Sequence, residues 1–542
     1  VVGGRGAAAR AARFTWWLLL AAAVLAVARE SWLRSTHLEE YAYGCDPYGY
    51  LEGAERVREA WRERRLPDFT LQHPQQRALI EHLARVEPRS KRWDQFVGPH
   101  CTHYFERAGH VGLQYPPGTS AMLALFPRDD ARNGLHRWTI AGVAATALAV
   151  ASAAMARGAT AGAGAVAAAA VLTLVLFRSH AVVSYSVHAL VLPLLAGAGL
   201  VFVAGALRVR GRPRAAVAAA FAAGLLLGWG CVVRLPFALL TPAFALLLPL
   251  RLWPALATGG SLVALPILGC HQHDVAGAFW KTSYAEIDQA WVGLERAWEH
   301  GVPFYLGGGR GAVWHLDVAL LAMGFAGVAW RARDGAGPGL CRRVAVAVSL
   351  VWLGNVVFYV FHEAQGSYYL APLALAATWV LAFGCVACET PGEGIVLRPW
   401  RRGLALALAF VPGAFAVGRG ALALDATPHR DDRLPSLEVP AELREPRAWR
   451  WADLTSSTFW YYADLPSYKL PFSSPEIRAE AWRWAGARGD PQYLVLDSEA
   501  MRRLADEAAG LGATLVARGE VFGHPYVRLD WEASPEATGQ GD

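Results

Sequence analysis

"FTWWLLLAAAVLAVA" (residues 14–28) is an unbroken apolar run, and "YGCDPYGYLEGAERVREAW" (residues 43–61) follows it closely. The run is preceded by Arg5, Arg10 and Arg13 and gives way to the acidic "LEEYAYGCD" with no small-residue cleavage site between, so it reads as a retained signal anchor. Working outward, comparable stretches recur near residues 138–156, 158–177, 187–206, 215–233, 236–250, 253–270, 312–330, 344–361, 368–388 and 403–420. Each approaches the roughly 20 apolar residues that a helix needs to cross a bilayer, which makes about eleven crossings. The expected fold is mainly α, polytopic and membrane-embedded.

Composition agrees. The 542 residues are 54% hydrophobic, with a net charge of +6 and a mean hydropathy of +0.25. Only Lys91, Lys281 and Lys469 are lysines among 51 basic residues. With the abundant alanine this bias points to a GC-rich bacterial genome, and Val1 fits a GTG start read literally. The arginines cluster at the ends of apolar segments, so they report topology and imply no nucleic-acid partner. "LRVRGRPR" (207–214), "RARDGAGPGLCRR" (331–343) and "VLRPWRR" (396–402) become cytoplasmic together if the N-terminus is inside and eleven helices cross. Residues 29–137, the loop 271–311, "HEAQGS" (362–367) and everything after 420 then lie outside. "YPPGTSAMLALFP" (115–127) is too short to span, and Pro116 and Pro117 suit the start of a helix, so it reads as a juxtamembrane helix; a short twelfth span is the competing reading.

This divides the chain into a transmembrane domain (1–420), with a large first outer loop (29–137), and an extracytoplasmic α/β domain (421–542). In the latter, "QYLVLD", the amphipathic "SEAMRRLADEAAGLG", "ATLVARGEVF" and "YVRLDW" follow a strand, helix, strand, strand pattern, with Gly510 and Gly512 closing the helix.

Asp46 is the first residue whose setting suggests chemistry. Gly44 and Pro47 frame it, and Tyr41, Tyr43, Tyr48 and Tyr50 surround it with rings that favour the membrane interface. A partly desolvated carboxylate of raised pKa beside a lipid-facing groove suits a general base acting on a hydroxyl. The competing reading is a solvated loop acid.

From that acidic motif onward the chain resembles the GT-C superfamily of membrane glycosyltransferases, the polyprenyl-phosphate-sugar-dependent protein mannosyltransferases and aminoarabinose transferases. The first outer loop ends in "QYPPGTSAMLALF" (114–126). "GWGCVVRLPFALLTPAFALLLPL" (228–250) looks like the superfamily's helix ending in an Arg-x-Pro turn, "HDVAGAFWKTSY" (273–284) like its next outer loop, and "GSYYLAPLALAATWVLAFG" (366–384) like its late helix. There are departures: Asp46 is followed by Pro47 where a second acid is common, Ser367 precedes Tyr368 where arginine is usual, and His180 and His188 stand in a segment where members often carry Asp.

The resemblance implies an inverting glycosyltransferase of the bacterial inner membrane, transferring a hexose or pentose from a polyprenyl-phosphate donor to an acceptor hydroxyl at the outer face. Asp46 would be the catalytic base. Arg178 and Arg234, at outer ends of expected spans, would hold the donor phosphate bidentately, with interfacial snorkelling the competing reading. Tyr50, His103, Tyr115, His180, His273, Tyr284, His362 and Glu363 would line the substrate cavity. His100, His103, His271, His273 and Asp274 are candidates for a divalent metal, although their spacing matches no closed zinc pattern. Cys45 and Cys101 both fall outside, where a disulfide persists, and Cys270 competes as a partner. The alternatives are a lipid-linked glycan transporter or flippase and a non-catalytic envelope scaffold. No glycine-rich phosphate loop, Ser-His-Asp set or zinc-protease motif supports a hydrolase or an ATP-driven pump.

Overall fold

The computed structural model describes residues 2–35, 45–180, 185–283, 294, 297–305, 338–361, 371–389 and 436–531. In chain order its principal helices are α1 (Val2–Ser35), α2 (Cys45–Glu63), α3 (Pro74–Val86), α4 (Pro117–Leu123), α5 (Ala131–Ala156), α6 (Thr160–His180), α7 (Tyr185–Val209), α8 (Pro213–Val233), α9 (Thr241–Leu246), α10 (Trp253–Ala276), α11 (Pro338–Val360), α12 (Ala371–Glu389), α13 (Ser456–Ala463), α14 (Pro475–Ala487) and α15 (Glu499–Gly510). The strands are β1 (Thr70–Leu71), β2 (Thr102–Phe105), β3 (His110–Leu113), β4 (Trp449–Ala452), β5 (Tyr468–Lys469), β6 (Gln492–Val495), β7 (Ala513–Val521) and β8 (His524–Trp531).

Two compact units emerge. One takes Val1–Leu38, Asp130–Ile267 and Trp291–Pro428; the other takes Glu39–Asp129, Leu268–Ala290 and His429–Asp542. The units thus group the first loop with the C-terminal region, whereas the expected division runs at residue 420.

The first unit is helical. Among the described residues five stretches are long and apolar enough to cross a membrane: Ala11–Leu33, Arg128–Ala156, Tyr185–Val209, Pro213–Val233 and Leu250–Ala276. They mark a membrane protein. α6, α11 and α12 cover three more expected spans, while 312–330 and 403–420 lie outside the described residues. The expected span 236–250 differs. It is broken into a 3-10 turn (Leu235–Leu240), the six-residue α9 and a second 3-10 turn (Leu250–Leu252), because Pro236, Pro242 and Pro249 each remove a backbone donor and fix φ.

Small residues let these helices approach closely. A Cβ on Gly224 would lie 2.2 Å from the Leu256 carbonyl oxygen, and one on Gly228 would lie 2.4 Å from that of Gly260, so α8 and α10 touch backbone to backbone. Buried polar pairs reinforce the packing: Trp379 donates to Thr173 Oγ1 at 3.0 Å, and Ser31 to the Leu174 carbonyl at 3.2 Å. Such bonds satisfy groups that hydrocarbon would leave unpaired.

The second unit is built on two sheets. β1, β3 and β2 form an antiparallel sheet in that order. The other has the order β5-β4-β6-β8-β7; β4 runs parallel to both β5 and β6, and the β8 and β7 pairings are antiparallel. Every residue of β4 and β6 is buried, as expected of parallel strands covered on both faces. Arg450, in the middle of β4, keeps its guanidinium in this core by donating to the carbonyls of Leu443, Glu445, Ala448 and Pro466. α14 and α15 start at serine caps, Ser474 and Ser498, whose side chains accept from the amides of Ile477 and Met501.

Within this unit the segment 115–127 forms only the seven-residue α4, about 10 Å long at ~1.5 Å per residue and too short to span. It is buried against α2, where Ser120 Oγ donates to the Tyr50 carbonyl at 3.1 Å. Arg58 of α2 donates to the Leu123 and Phe126 carbonyls, satisfying backbone acceptors at the end of α4.

Candidate functional site

The site is assembled around the start of α2. Asp46 is the second residue of that helix, so its backbone belongs to the first turn, with Pro47 accommodated because a first-turn amide has no helical partner to lose.

Cys45, immediately before it, is disulfide-bonded to Cys101, with Cα atoms 4.9 Å apart. Of the two pairings left open by the sequence the structure takes this one, and Cys270 is free and exposed. Closing 56 residues of chain contributes about 4 kcal/mol on the chain-entropy model. Cys101 has φ of 61°, a left-handed conformation uncommon for a side-chain-bearing residue.

Three predicted cavity residues gather at this staple. Tyr50 stacks on Tyr115 with ring centroids 4.4 Å apart, and the Tyr115 hydroxyl sits 3.1 Å from Cys101 Sγ. Gly49 is required here, because a Cβ would fall 2.5 Å from the Tyr115 ring. His103, on β2, pairs its Nε2 with Gln114 Oε1 at 2.5 Å, and the Gln114 amide donates to the Cys101 carbonyl at 3.0 Å. Burial, aided by the nearby charge of Lys469, lowers the His103 pKa to about 3, so its ring is neutral and donates through Nε2. Its Nδ1 is a buried acceptor with no hydrogen-bond partner among the described residues.

His100 lies in the same loop but faces elsewhere: its Nε2 bonds Asp453 Oδ1 at 2.9 Å. Burial lowers its pKa, so it donates to the carboxylate as a neutral ring. His271 is buried edge-on against Phe69 at 5.0 Å. His273 and Asp274 are exposed and 3.3 Å apart. These five metal candidates do not converge; no group of three or more His, Cys, Asp or Glu suited to a metal exists among the described residues.

The donor-phosphate candidates belong to the first unit. Arg234 caps the C-terminus of α8 in an extended conformation and donates to Ser186 Oγ at 3.4 Å. In the same unit His136 Nδ1 and His188 Nε2 lie 3.4 Å apart between α5 and α7. Arg178 and His180 occupy the last turn of α6 and are described through their backbone. Tyr284, His362 and Glu363 lie outside the described residues.

Sequence reading missed a second polar cluster, at the carboxyl ends of β4, β5 and β6. Lys469 is 2% exposed and donates from Nζ to the Thr102 carbonyl at 3.1 Å. Burial lowers its pKa to about 7 against the opposing charges of Asp94 and Asp453. Burial opposes the Asp453 charge too, but the bonds from His100 and Ser498 hold its pKa below the usual value. Asp497 accepts from the Thr455 amide (2.6 Å) and hydroxyl (2.7 Å) and from the Asp453 amide. Burial nonetheless lifts its pKa to about 6. The available signal was a lone lysine and two Asp residues closing the short runs "WRWA" and "QYLVL".

No family model matches the chain, and no curated protein does either.

Proposed function

We propose that the chain is an inverting, GT-C-like glycosyltransferase that moves a hexose or pentose from a polyprenyl-phosphate donor to an acceptor hydroxyl at the outer face of a bacterial inner membrane. The observation that carries the reading is the placement of Asp46 at the N-terminal turn of α2, beside the Cys45–Cys101 staple and the Tyr50, His103 and Tyr115 side chains. An aspartate carried on a covalently tethered helix start suits a general base, and holding the backbone that bears such a group lowers the entropic part of a transfer barrier. Neutral His103 and the tyrosine rings add a donor, an acceptor and apolar faces of the kind that sugars bind. Arg234, at a helix end in a chain rich in apolar helices, suits a lipid-borne phosphate.

The chemistry needs one base on the acceptor and charge stabilisation on the leaving phosphate. Asp46 takes the hydroxyl proton as the acceptor oxygen attacks the anomeric carbon, and the bond to phosphate breaks with its electrons going to the lipid phosphate. The test is sugar transfer by purified protein from a panel of radiolabelled polyprenyl-phosphate sugars, native against Asp46→Asn, with and without chelator. Loss of at least 100-fold in Asp46→Asn, with donor binding kept, is the expected result. Equal rates in both proteins would remove Asp46 from the mechanism. Absence of transfer with every donor would favour the glycan-transporter or scaffold readings, and chelator sensitivity would bring in a metal.

A further inference from the structure

In the C-terminal sheet β4 has a parallel neighbour on each side, and the chain leaves β4 toward β5 but leaves β6 toward β7 and β8. That reversal makes a topological switch point, and open α/β sheets take their ligands in the crevice outside the carboxyl ends of the strands flanking it. Asp453 follows β4 there, Asp497 and the helix cap Ser498 follow β6, and Lys469 ends β5. The position is already filled by this chain's own residues 99–103. His100 enters on Asp453 and packs edge-on to Phe472 at 5.4 Å. Lys469 holds the Thr102 carbonyl, and Thr102 Oγ1 closes the hook on the Pro99 carbonyl at 2.7 Å. Between the two gripped residues stands Cys101, bonded to the residue before Asp46.

We infer that the switch-point crevice takes the 99–103 hook as its resident ligand, and that Asp453 and Lys469 are thereby positioning residues for the tethered start of α2. The consequence for transfer rests on the glycosyltransferase reading; the grip itself does not. An unpaired buried carboxylate or ammonium is costly, so each charge needs the hook as much as the hook needs it. Lys469 is held by a backbone carbonyl, which makes its contact independent of the side chain at position 102.

The experiment is hydrogen exchange read by mass spectrometry on the full-length protein in detergent, comparing native, Asp453→Asn, Lys469→Met, Lys469→Arg and His100→Phe. Peptides covering 98–104 are expected to exchange at least tenfold faster in Asp453→Asn, Lys469→Met and His100→Phe, and to return toward the native rate in Lys469→Arg. Peptides from β6 to β8 should stay native; should Asp453→Asn fail to fold, His100→Phe keeps a ring against Phe472 and removes the same bond from the other side. Unchanged exchange at 98–104 would overturn the grip and leave the transfer reading standing. If native protein transfers sugar, kcat should fall in Lys469→Met with the donor KM unchanged, and a native kcat despite a loosened hook would overturn the positioning role. Absence of transfer in native protein would sink the transfer reading alone, because exchange reports the hook without it.

Discussion

Asp497 shows what burial does to a single carboxylate. Its folded pKa of about 6 lies above the unfolded value of about 4, so the folded state prefers the protonated form. The associated stability is complete below about pH 4 and is lost as pH rises through about 6, a change on the order of 3 kcal/mol. His103 acts in the reverse sense, its depressed pKa favouring the fold as pH rises from about 3 toward neutrality. The prediction therefore concerns a difference. Thermal melting of native protein against Asp497→Asn between pH 4 and 7 should show the variant gaining relative to the native chain as pH rises, and parallel curves would refute the assignment. At this scale the sequence displayed the cysteines, tyrosines and histidines that meet around the disulfide. It did not display that His100 turns from its neighbours to Asp453, because its partner lies 353 residues away.

Among the elements, α8 and β4 teach opposite lessons. The "GLLLG" of α8 is a visible small-residue motif, and the structure uses both glycines against α10. Gly228→Ala is expected to destabilise by roughly 1–3 kcal/mol, because the new methyl group meets backbone that cannot rotate away. Gly205→Ala, whose Cβ would meet nothing within 4 Å, should be neutral or slightly stabilising through helix propensity. Melting curves in one detergent for the two variants check this, and equal shifts would refute the close approach. "WRWA" of β4, by contrast, did not read as a strand. An arginine between two tryptophans looks like a solvated segment, and only the four carbonyls around Arg450 make it a core residue. The stretch expected as a span at 236–250 is not one continuous helix for a local reason: hydropathy ignores the three prolines that interrupt its hydrogen bonding.

Taken whole, the second unit draws three separate stretches of chain into one compact body. Because they form one body, single cysteines placed at the exposed positions Leu66 and Leu511, in a background without other free cysteines, should react with an impermeant maleimide from the same face of sealed vesicles. Labelling from opposite faces would refute the grouping of the two stretches in one body.

Sequence by itself determined the membrane character, most of the helices and the strand-helix-strand-strand end of the chain. These follow from hydropathy, periodicity and turn residues, all of which act over a few tens of residues. It also marked Asp46 and the cysteine beside it as a place of interest. Tertiary structure decided the rest: which cysteines pair, that Lys469, Asp453 and Asp497 share one crevice, and that the first loop and the final sheet are one body. Those depend on contacts between residues 56 positions apart at the disulfide and 353 apart where His100 meets Asp453, and a buried charge betrays its partner only when the fold brings the two together.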